Sequence, residues 1–301
     1  MQKIQSLALI FVLIVLVGYL TFQKLAEETE VSYQENSSLQ HYNTADLPKQ
    51  LFFAGEEVPL SNPYVARRLG VELWIQTRQN PTMAQVIERA NYWLPEIDTI
   101  LKKYNIPSDF KYLAIAESNL LNVNSPAGAA GFWQLVPVTA EQFGLTINAE
   151  IDERYNPEKS TEAACKYLRY LYGYFDNWTS VAASYNSGAG YLLGVQQFQR
   201  EKSVYKLFMN PQTAGYVFRV LAFKQLLEHQ EEYGYKVGKE KMWERKFQKI
   251  IVTKSISNLV TFARTKKSNY FNLKKYNPWI NANSLTITKK NKQFTLILPQ
   301  K

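Results

Sequence analysis

The sequence predicts a mainly α-helical protein with an N-terminal transmembrane helix and a small α+β module at its C-terminus. Three observations support this prediction. Apolar residues recur at helical spacing between positions 82 and 230, a long uncharged stretch opens the chain, and the pattern changes after residue 245. We therefore divide the 301 residues into an anchor (1–24), a polar linker (25–47), a helical domain (48–235) and a basic module (245–301).

The first segment predicts where the protein resides. Between Lys3 and Lys24 lie 20 uncharged residues, enough to cross the hydrocarbon core of a bilayer. A secretory signal peptide has a shorter apolar core and ends at a small-residue cleavage site, which the stretch from Gly18 to Phe22 does not resemble. We favour an uncleaved anchor over a cleaved signal peptide, and in either case the rest of the chain is exported.

Helical periodicity accounts for most of the middle of the chain. From Thr82 the apolar positions continue to Tyr104, with Thr82 and Gln85 arranged as a capping box, and Pro95 is expected to kink or divide this helix. No convincing strand pattern occurs in residues 60–230. Further helices are predicted after Pro107 as far as about Asn119, in a short stretch ending at Gly144, and over 158–175, 178–187 and 212–230.

The C-terminal module differs in both pattern and charge. Strands are predicted at 247–256 and 293–299, flanking short helices at 257–265 and 272–276. Residues 236–301 contain 16 Lys+Arg and 2 Asp+Glu, a net charge of +14, whereas residues 1–235 have a net charge of −5. Such a basic module favours an anionic partner, although a solvated lysine-rich face explains the charge equally well.

Few residues are available for metal or cofactor chemistry. The single cysteine, Cys165, lies in a helical pattern and is interpreted as a buried small hydrophobe. Two histidines far apart, His41 and His229, make a zinc site or a Ser-His-Asp triad improbable. We therefore predict no metal and no cofactor, and chemistry that depends on carboxylates and hydroxyls.

Glu117 is the candidate catalytic residue. Phe110, Leu113, Ala114 and Glu117 share one face of a helix whose other faces are also largely apolar. Burial and the negative end of the helix dipole both disfavour the carboxylate, so the pKa of Glu117 is expected to rise, as a general acid requires. On the helix pattern alone, a structural glutamate paired with an arginine or at the surface is the favoured interpretation.

Two later segments favour a catalytic Glu117 over a structural one. The stretch Ser125 to Gln134 places small residues before Phe132, Trp133 and Gln134, so that backbone groups can approach a ligand and the amide can meet a sugar. Tyr185 and Asn186 place a hydroxyl and an amide before a glycine-rich turn.

In this order the motifs resemble one family, the lytic transglycosylases of the goose-type-lysozyme-like superfamily, and specifically the membrane-bound type D group. The family pattern is a Glu-Ser pair, a Gly-x-x-Gly-x-Trp-Gln loop and an Ala-x-Tyr-Asn-x-Gly segment. Here these are Glu117-Ser118, Gly128 to Gln134, and Ala183 to Gly188. The resemblance covers roughly residues 50–230 and implies a lysozyme-like helical catalytic domain.

The resemblance also implies an activity and a role for each matching residue. Glu117 would protonate the bond between N-acetylmuramic acid and N-acetylglucosamine and then deprotonate the C6 hydroxyl, giving a 1,6-anhydro end. Ser118 would orient the glutamate or the substrate. Gln134 and Asn186 would contact substrate and Tyr185 would line the cleft. Gln212 to Val217 loosely resembles a Glu-Thr-x-x-Tyr-Val motif, in which Tyr216 would approach the glutamate.

The basic module resembles a degenerate LysM repeat, which is a glycan-binding module. Lys254-Ser255 stands where LysM repeats carry Gly-Asp. Sugar binding, docking to a wall polymer and plain structural capping therefore all remain open for this module.

The resemblance implies a peptidoglycan-cleaving enzyme in the cell envelope, anchored in the inner membrane with its catalytic domain in the periplasm. Its expected partners are the glycan strands and the membrane, with cell-wall synthesis or division proteins as further candidates, and nucleic acid is not expected. Two alternatives remain: a lysozyme-like hydrolase that uses Glu117 with a water nucleophile, and an inactive glycan-binding scaffold.

Overall fold

The computed structural model describes residues 47–79, 81–236, 247–289 and 291–300. The predicted anchor (1–24) and all of the predicted linker except Leu47 lie outside these ranges, so both remain predictions. Among the helices that the structure describes, none is long and apolar enough to cross a membrane.

Eight α-helices build the helical part of the described chain. A small hairpin of β1 and β2 precedes them, with strands at Phe52–Phe53 and Glu56–Glu57. The helices are α1 (Pro63–Trp74), α2 (Met83–Lys103), α3 (Lys111–Ser118), α4 (Pro137–Gln142), α5 (Pro157–Phe175), α6 (Trp178–Ser187), α7 (Ala189–Gln199) and α8 (Pro211–Glu228).

One local prediction for α2 is narrowed and another is wrong. The helix runs through Pro95 as a single element, so the proline does not divide it, and the alternative of a kink stays a prediction. Thr82 is the residue before the first turn, but its side chain makes no capping hydrogen bond to the helix. Its backbone has φ −96° and ψ 5° instead of the extended conformation of a typical N-cap, so the predicted capping box does not form.

Helix α3 lies at the centre of the helical part, packed between α2 and α8. Its residues from Tyr112 to Ile115 are buried, as the apolar pattern predicted. A 3₁₀ turn at Ser108–Phe110 leads into the helix, and Asn119 ends it in the left-handed conformation with φ 52°. The helix is thus a short buried rod whose C-terminal end carries Glu117.

The C-terminal module has a hydrophobic core of its own. Strands β3 (Phe247–Val252) and β4 (Phe294–Pro299) pair antiparallel, with Phe247 opposite Pro299 and Val252 opposite Phe294. Helices α9 (Leu259–Thr265) and α10 (Tyr270–Tyr276) connect them. The predicted strand–helix–helix–strand order is confirmed, although β3 ends four residues earlier than predicted.

Backbone contacts join this module to the helical part. Ile151, from the loop before α5, belongs to the core of the module and forms a bridge with Ile280. The Asp152 N–H donates to Trp279 O at 2.8 Å, and the Asn281 N–H donates to Glu150 O at 2.7 Å. The two parts are therefore in direct contact here. The predicted boundaries at 48–235 and 245–301 remain a prediction.

Candidate active site

The carboxyl of Glu117 lies next to the hydroxyl of Tyr216. Tyr216 Oη donates a hydrogen bond to Glu117 Oε1 at 2.6 Å, and Tyr216 itself is 2% exposed. Burial raises the pKa of Glu117 to about 7, while the Tyr216 hydrogen bond and the Arg219 charge act in the opposite direction. The upward direction expected from the sequence is therefore found in the structure, with desolvation as its main cause.

Helix α8 brings Tyr216 to Glu117 across 99 residues of sequence. It starts at Pro211, after Asn210, whose side-chain oxygen accepts from the Thr213 N–H at 2.9 Å. Burial raises the pKa of Tyr216 well above its ordinary value, and the adjacent Glu117 charge adds to this rise. Tyr216 therefore keeps its proton and acts as a donor to the carboxylate.

A charged cluster that was not predicted from the sequence lies beside this pair. Arg219 lies one turn after Tyr216 on α8, and its Nε is 3.7 Å from Glu72 Oε2 on α1. Glu72 is 8% exposed, and a side chain at Gly215 would come within 3.3 Å of Arg68 and 3.4 Å of Glu72. The three-residue spacing from Tyr216 could have identified Arg219, whereas nothing in the pattern of α1 distinguishes Glu72 from a surface acid.

Ser118 attaches the next loop to helix α3. Its Oγ lies 2.9 Å from Phe132 O and 3.1 Å from Ala114 O, and the residue is buried. Both of these acceptors are backbone carbonyls. Ser118 thus holds the loop against the helix that carries Glu117, and the predicted role in orienting the glutamate or the substrate stays a prediction.

Gly131 and Gln134 shape the same loop. Gly131 has φ 76°, and a Cβ there would lie 2.0 Å from Arg154 O, so only glycine fits. The Gln134 Nε2 donates to Gly131 O at 2.9 Å and to Val123 O at 3.1 Å. The amide nitrogen of Gln134 is therefore committed to the loop, and its predicted contact with a sugar stays a prediction.

Tyr185 and Asn186 lie at the C-terminal end of α6. Tyr185 Oη donates to Trp133 O at 2.7 Å, and burial raises its pKa well above the ordinary value, with the Glu117 charge as a further cause. Asn186 is partly exposed and makes no side-chain hydrogen bond with the residues that the structure describes. Tyr185 thus lies close enough to Glu117 for a negative charge on the carboxyl to disfavour ionisation of the tyrosine hydroxyl.

Two further acids in the helical part, Asp152 and Glu153, have internal partners. Asp152 accepts from the guanidinium of Arg154, which also donates to Gly128 O at 2.6 Å. Glu153 is 2% exposed, accepts from the Thr146 N–H at 2.8 Å and pairs with Lys159. Both carboxylates therefore hold neighbouring segments of the fold together.

Cys165 is fully buried, as predicted, and burial raises the pKa of its thiol to about 12. Within the described ranges, no cluster of three or more His, Cys, Asp or Glu residues is arranged to hold a metal ion.

Two family profiles match the chain. Residues 96–208 match the transglycosylase SLT domain, and residues 248–301 match the soluble lytic transglycosylase C-terminal LysM-like domain. The first match contains Glu117, Ser118, Gln134, Tyr185 and Asn186, whereas Tyr216 lies beyond its end.

Curated proteins and a solved structure are also similar to the chain. Membrane-bound lytic murein transglycosylase D of Escherichia coli K12 is 28% identical over 191 residues, which is 62% of this chain and 42% of that protein. Membrane-bound lytic murein transglycosylase C of Haemophilus influenzae PittEE is 27% identical over 196 residues, or 60% of this chain and 54% of that protein. The chain thus spans about half the length of these relatives. The soluble lytic transglycosylase SLT70 of Escherichia coli aligns with a TM-score of 0.42 at 20% identity, over 75% of this chain and 46% of that one.

Proposed function

We propose that this chain, which carries a transglycosylase SLT domain followed by a LysM-like domain, is a peptidoglycan lytic transglycosylase. It would cleave the β-1,4 bond between N-acetylmuramic acid and N-acetylglucosamine and leave a 1,6-anhydro ring on the muramic acid. The observation that carries this proposal is the Glu117 carboxyl, desolvated to a pKa of about 7 and hydrogen-bonded by Tyr216. The names of the relatives support the same reaction class.

Glu117 acts first as an acid. With a pKa of about 7, the carboxyl is protonated in a large fraction of molecules near neutral pH. It donates this proton to the oxygen that bridges the two sugars, and the bond between C1 of the muramic acid and that oxygen breaks. The N-acetylglucosamine part leaves with a new hydroxyl.

Glu117 then acts as a base. Its carboxylate takes the proton of the C6 hydroxyl of the muramic acid, and the C6 oxygen bonds to C1 to close the anhydro ring. This step returns Glu117 to its protonated form, so no water is consumed. The Tyr216 hydroxyl donates to the carboxylate that exists between the two steps and stabilises its charge.

Most glycosidases use two carboxylates, and the three further acids discussed above do not suit the second role. Glu72, Asp152 and Glu153 are all less than 9% exposed and paired with Arg219, Arg154 and Lys159. The resemblance to lytic transglycosylases implies that the acetamido group of the substrate stabilises the positive C1 centre in place of a second carboxylate.

The other site residues would support this chemistry from the walls of the cleft. Tyr185 and Asn186 would line it, with the partly exposed amide of Asn186 available to a sugar acetamido group. Ser118 would fix the loop that carries Gln134. Gln134 would meet the substrate with its amide oxygen, since its nitrogen is committed to the loop.

We further propose that the enzyme works in the cell envelope, on peptidoglycan strands. Two relatives are named membrane-bound murein transglycosylases, and residues 1–24 have the length and apolarity of an anchor. The expected arrangement is an inner-membrane anchor with the catalytic domain in the periplasm, where wall-synthesis or division proteins could direct it.

Mass spectrometry of the products tests the activity. Purified full-length chain is incubated with peptidoglycan beside Glu117→Gln and a matched control, Glu141→Gln, which replaces an exposed glutamate on α4. We expect muropeptides lighter by one water than their hydrated counterparts from the wild type and the control, and none from Glu117→Gln. Hydrated reducing ends would instead identify a lysozyme-like hydrolase, and binding without any release would identify a scaffold.

A further inference from the structure

A cavity of about 660 Å³ lies between the helical part and the C-terminal module. One wall comes from α2 and the start of α5, and the other from β3, α10 and β4. Its volume falls within the range of ordinary small-molecule pockets. Neither family match assigns a role to this space, which the two modules form only together.

Polar contacts at the junction hold the two walls in place. The Glu150 carboxylate accepts from the Ser284 hydroxyl, and from the Thr286 N–H at 2.9 Å. Across the cavity rim, Lys249 of β3 lies 3.8 Å from Glu158 of α5. These contacts and the backbone bridge at Ile151 fix the spacing of the modules, so the cavity is a built feature of the fold.

The cavity is close to the candidate active site. Arg89, which lines it, donates from Nε to Asn119 O at 2.7 Å, and Asn119 ends the helix that carries Glu117. Trp93, which also lines it, packs edge to face on Phe132 with ring centroids 5.1 Å apart. The Phe132 carbonyl is an acceptor for Ser118. One layer of side chains therefore separates the cavity wall from the catalytic helix and its loop.

Partly exposed aromatic side chains face the cavity from both modules. Tyr92 and Trp93 line it from α2, and Phe247 and Tyr276 line it from the C-terminal module, with the latter two rings 5.2 Å apart. The C–H faces of a pyranose ring are apolar and pack on such rings, while its hydroxyl and amide groups need polar partners. Asn122 and charged side chains line the same walls, and the Asn122 Nδ2 also donates to Tyr155 O at 3.2 Å.

The charge of the lining favours a neutral ligand. Although the C-terminal module is strongly basic, the described residues that line the cavity include four basic and three acidic side chains. A polyanion such as nucleic acid or a phosphate-rich polymer would face these three acids at close range. A neutral N-acetylated sugar meets donors and acceptors there without bringing any charge of its own.

We propose that this cavity is a saccharide subsite that holds the glycan strand away from the cleavage point, with its walls supplied jointly by the SLT domain and the LysM-like domain. The proposal rests on the proposed function, because the strand bound here is the polymer cut at Glu117. A second contact on the same polymer makes binding at the cleft effectively intramolecular and so strengthens the binding of long strands over short ones.

Calorimetric titration of the full-length Glu117→Gln protein tests this subsite without turnover. The ligands are N-acetylglucosamine oligosaccharides, a disaccharide and a hexasaccharide. We expect the hexasaccharide to bind more tightly than the disaccharide. Tyr276→Ala should raise the Kd for the hexasaccharide about tenfold, because one aromatic contact with the sugar is lost. Disaccharide binding is expected to be unchanged.

The matched control is Phe271→Ala, which removes a 70% exposed aromatic from the same helix outside the cavity and should leave both affinities unchanged. A second variant, Thr295→Trp, adds bulk at an exposed position that lines the cavity, and should weaken the hexasaccharide even where Tyr276→Ala fails to fold. Equal affinities for the two ligands, or equal effects of Tyr276→Ala and Phe271→Ala, would overturn the subsite.

The proposed activity and the proposed subsite can be refuted independently of each other. Anhydro products from the wild type without any length dependence of binding would refute the subsite alone. Length-dependent binding that Tyr276→Ala abolishes, with no cleavage by the wild type, would refute the proposed activity alone.

Discussion

Removing the Tyr216 hydroxyl should raise the pKa of Glu117 and shift the pH range of activity upward. The hydroxyl donates to Glu117 Oε1 at 2.6 Å, and this bond lowers the pKa of the carboxyl against the larger effect of burial. Tyr216→Phe keeps the buried ring and removes only the donor. The carboxylate then loses a stabilising partner, whereas the protonated acid loses less.

The size of the shift follows from the strength of the bond. A hydrogen bond to a charged group contributes about 1.5–3 kcal/mol, and one pKa unit corresponds to about 1.4 kcal/mol. From a starting pKa of about 7, the variant should therefore titrate roughly one to two units higher. Because the first step needs the protonated acid, the alkaline limb of kcat/KM should move upward by the same amount.

The assay is the pH dependence of kcat/KM for anhydro-muropeptide release. Tyr112→Phe is the matched control, because the hydroxyl of this buried tyrosine donates to Glu228 Oε1 at 3.0 Å and not to Glu117. We also expect a lower maximal rate for Tyr216→Phe, since the carboxylate formed between the two steps loses its donor. An alkaline limb that stays in place or moves downward would refute the role given to Tyr216.

Three further predictions follow from the same geometry. Glu117→Gln should be more stable to urea than the wild type by up to roughly 3 kcal/mol above pH 7, because a raised folded-state pKa destabilises the ionised form. The difference in unfolding free energy between the variant and the wild type should disappear below about pH 4.5. A difference that does not change with pH would contradict the desolvation of this carboxyl. Gly131→Ala should lower the free energy of unfolding by more than about 3 kcal/mol and abolish activity, because the added Cβ would lie 2.0 Å from a backbone carbonyl oxygen. Gly128→Ala, with the same sign of φ but no atom within 4 Å, should cost only about 1–2 kcal/mol, and equal urea midpoints would disprove the clash. Arg219→Gln should raise the pKa of Glu117, because that charge now lowers it; an unshifted alkaline limb would show that Arg219 does not act on Glu117.

Much of the catalytic helix was predictable from its sequence, because its information is local. Apolar residues on every face of α3 indicate burial wherever the helix packs, and a carboxyl at its end then loses water. The small-residue loop was predictable for a similar reason, since a glycine such as Gly131 marks a close backbone approach. The partner in that approach, Arg154 O, could not be identified from the sequence.

Local sequence patterns did not predict the features that depend on a particular backbone conformation or on a contact between distant residues. Thr82 and Gln85 have the residues of a capping box, yet the backbone of Thr82 does not adopt the extended conformation that the cap needs. The sequence did not predict α1 and α7 as individual helices, although both lie in the stretch that was predicted to be helical. The ion pair between Glu72 and Arg219 joins two such distant helices and has no signature in either one.

The amino-acid sequence alone shows which groups are available for chemistry: a helix-borne Glu117, two glycine-rich segments, and only two histidines and one cysteine. Periodicity and residue type are properties of neighbouring residues, so they can be deduced without the fold. The packing of the folded chain establishes which groups meet: Tyr216 contacts Glu117 across 99 residues of sequence, and aromatic rings of two modules surround one cavity. These contacts depend on how the helices and the C-terminal module pack, and packing is set by the combined burial of residues far apart in the chain.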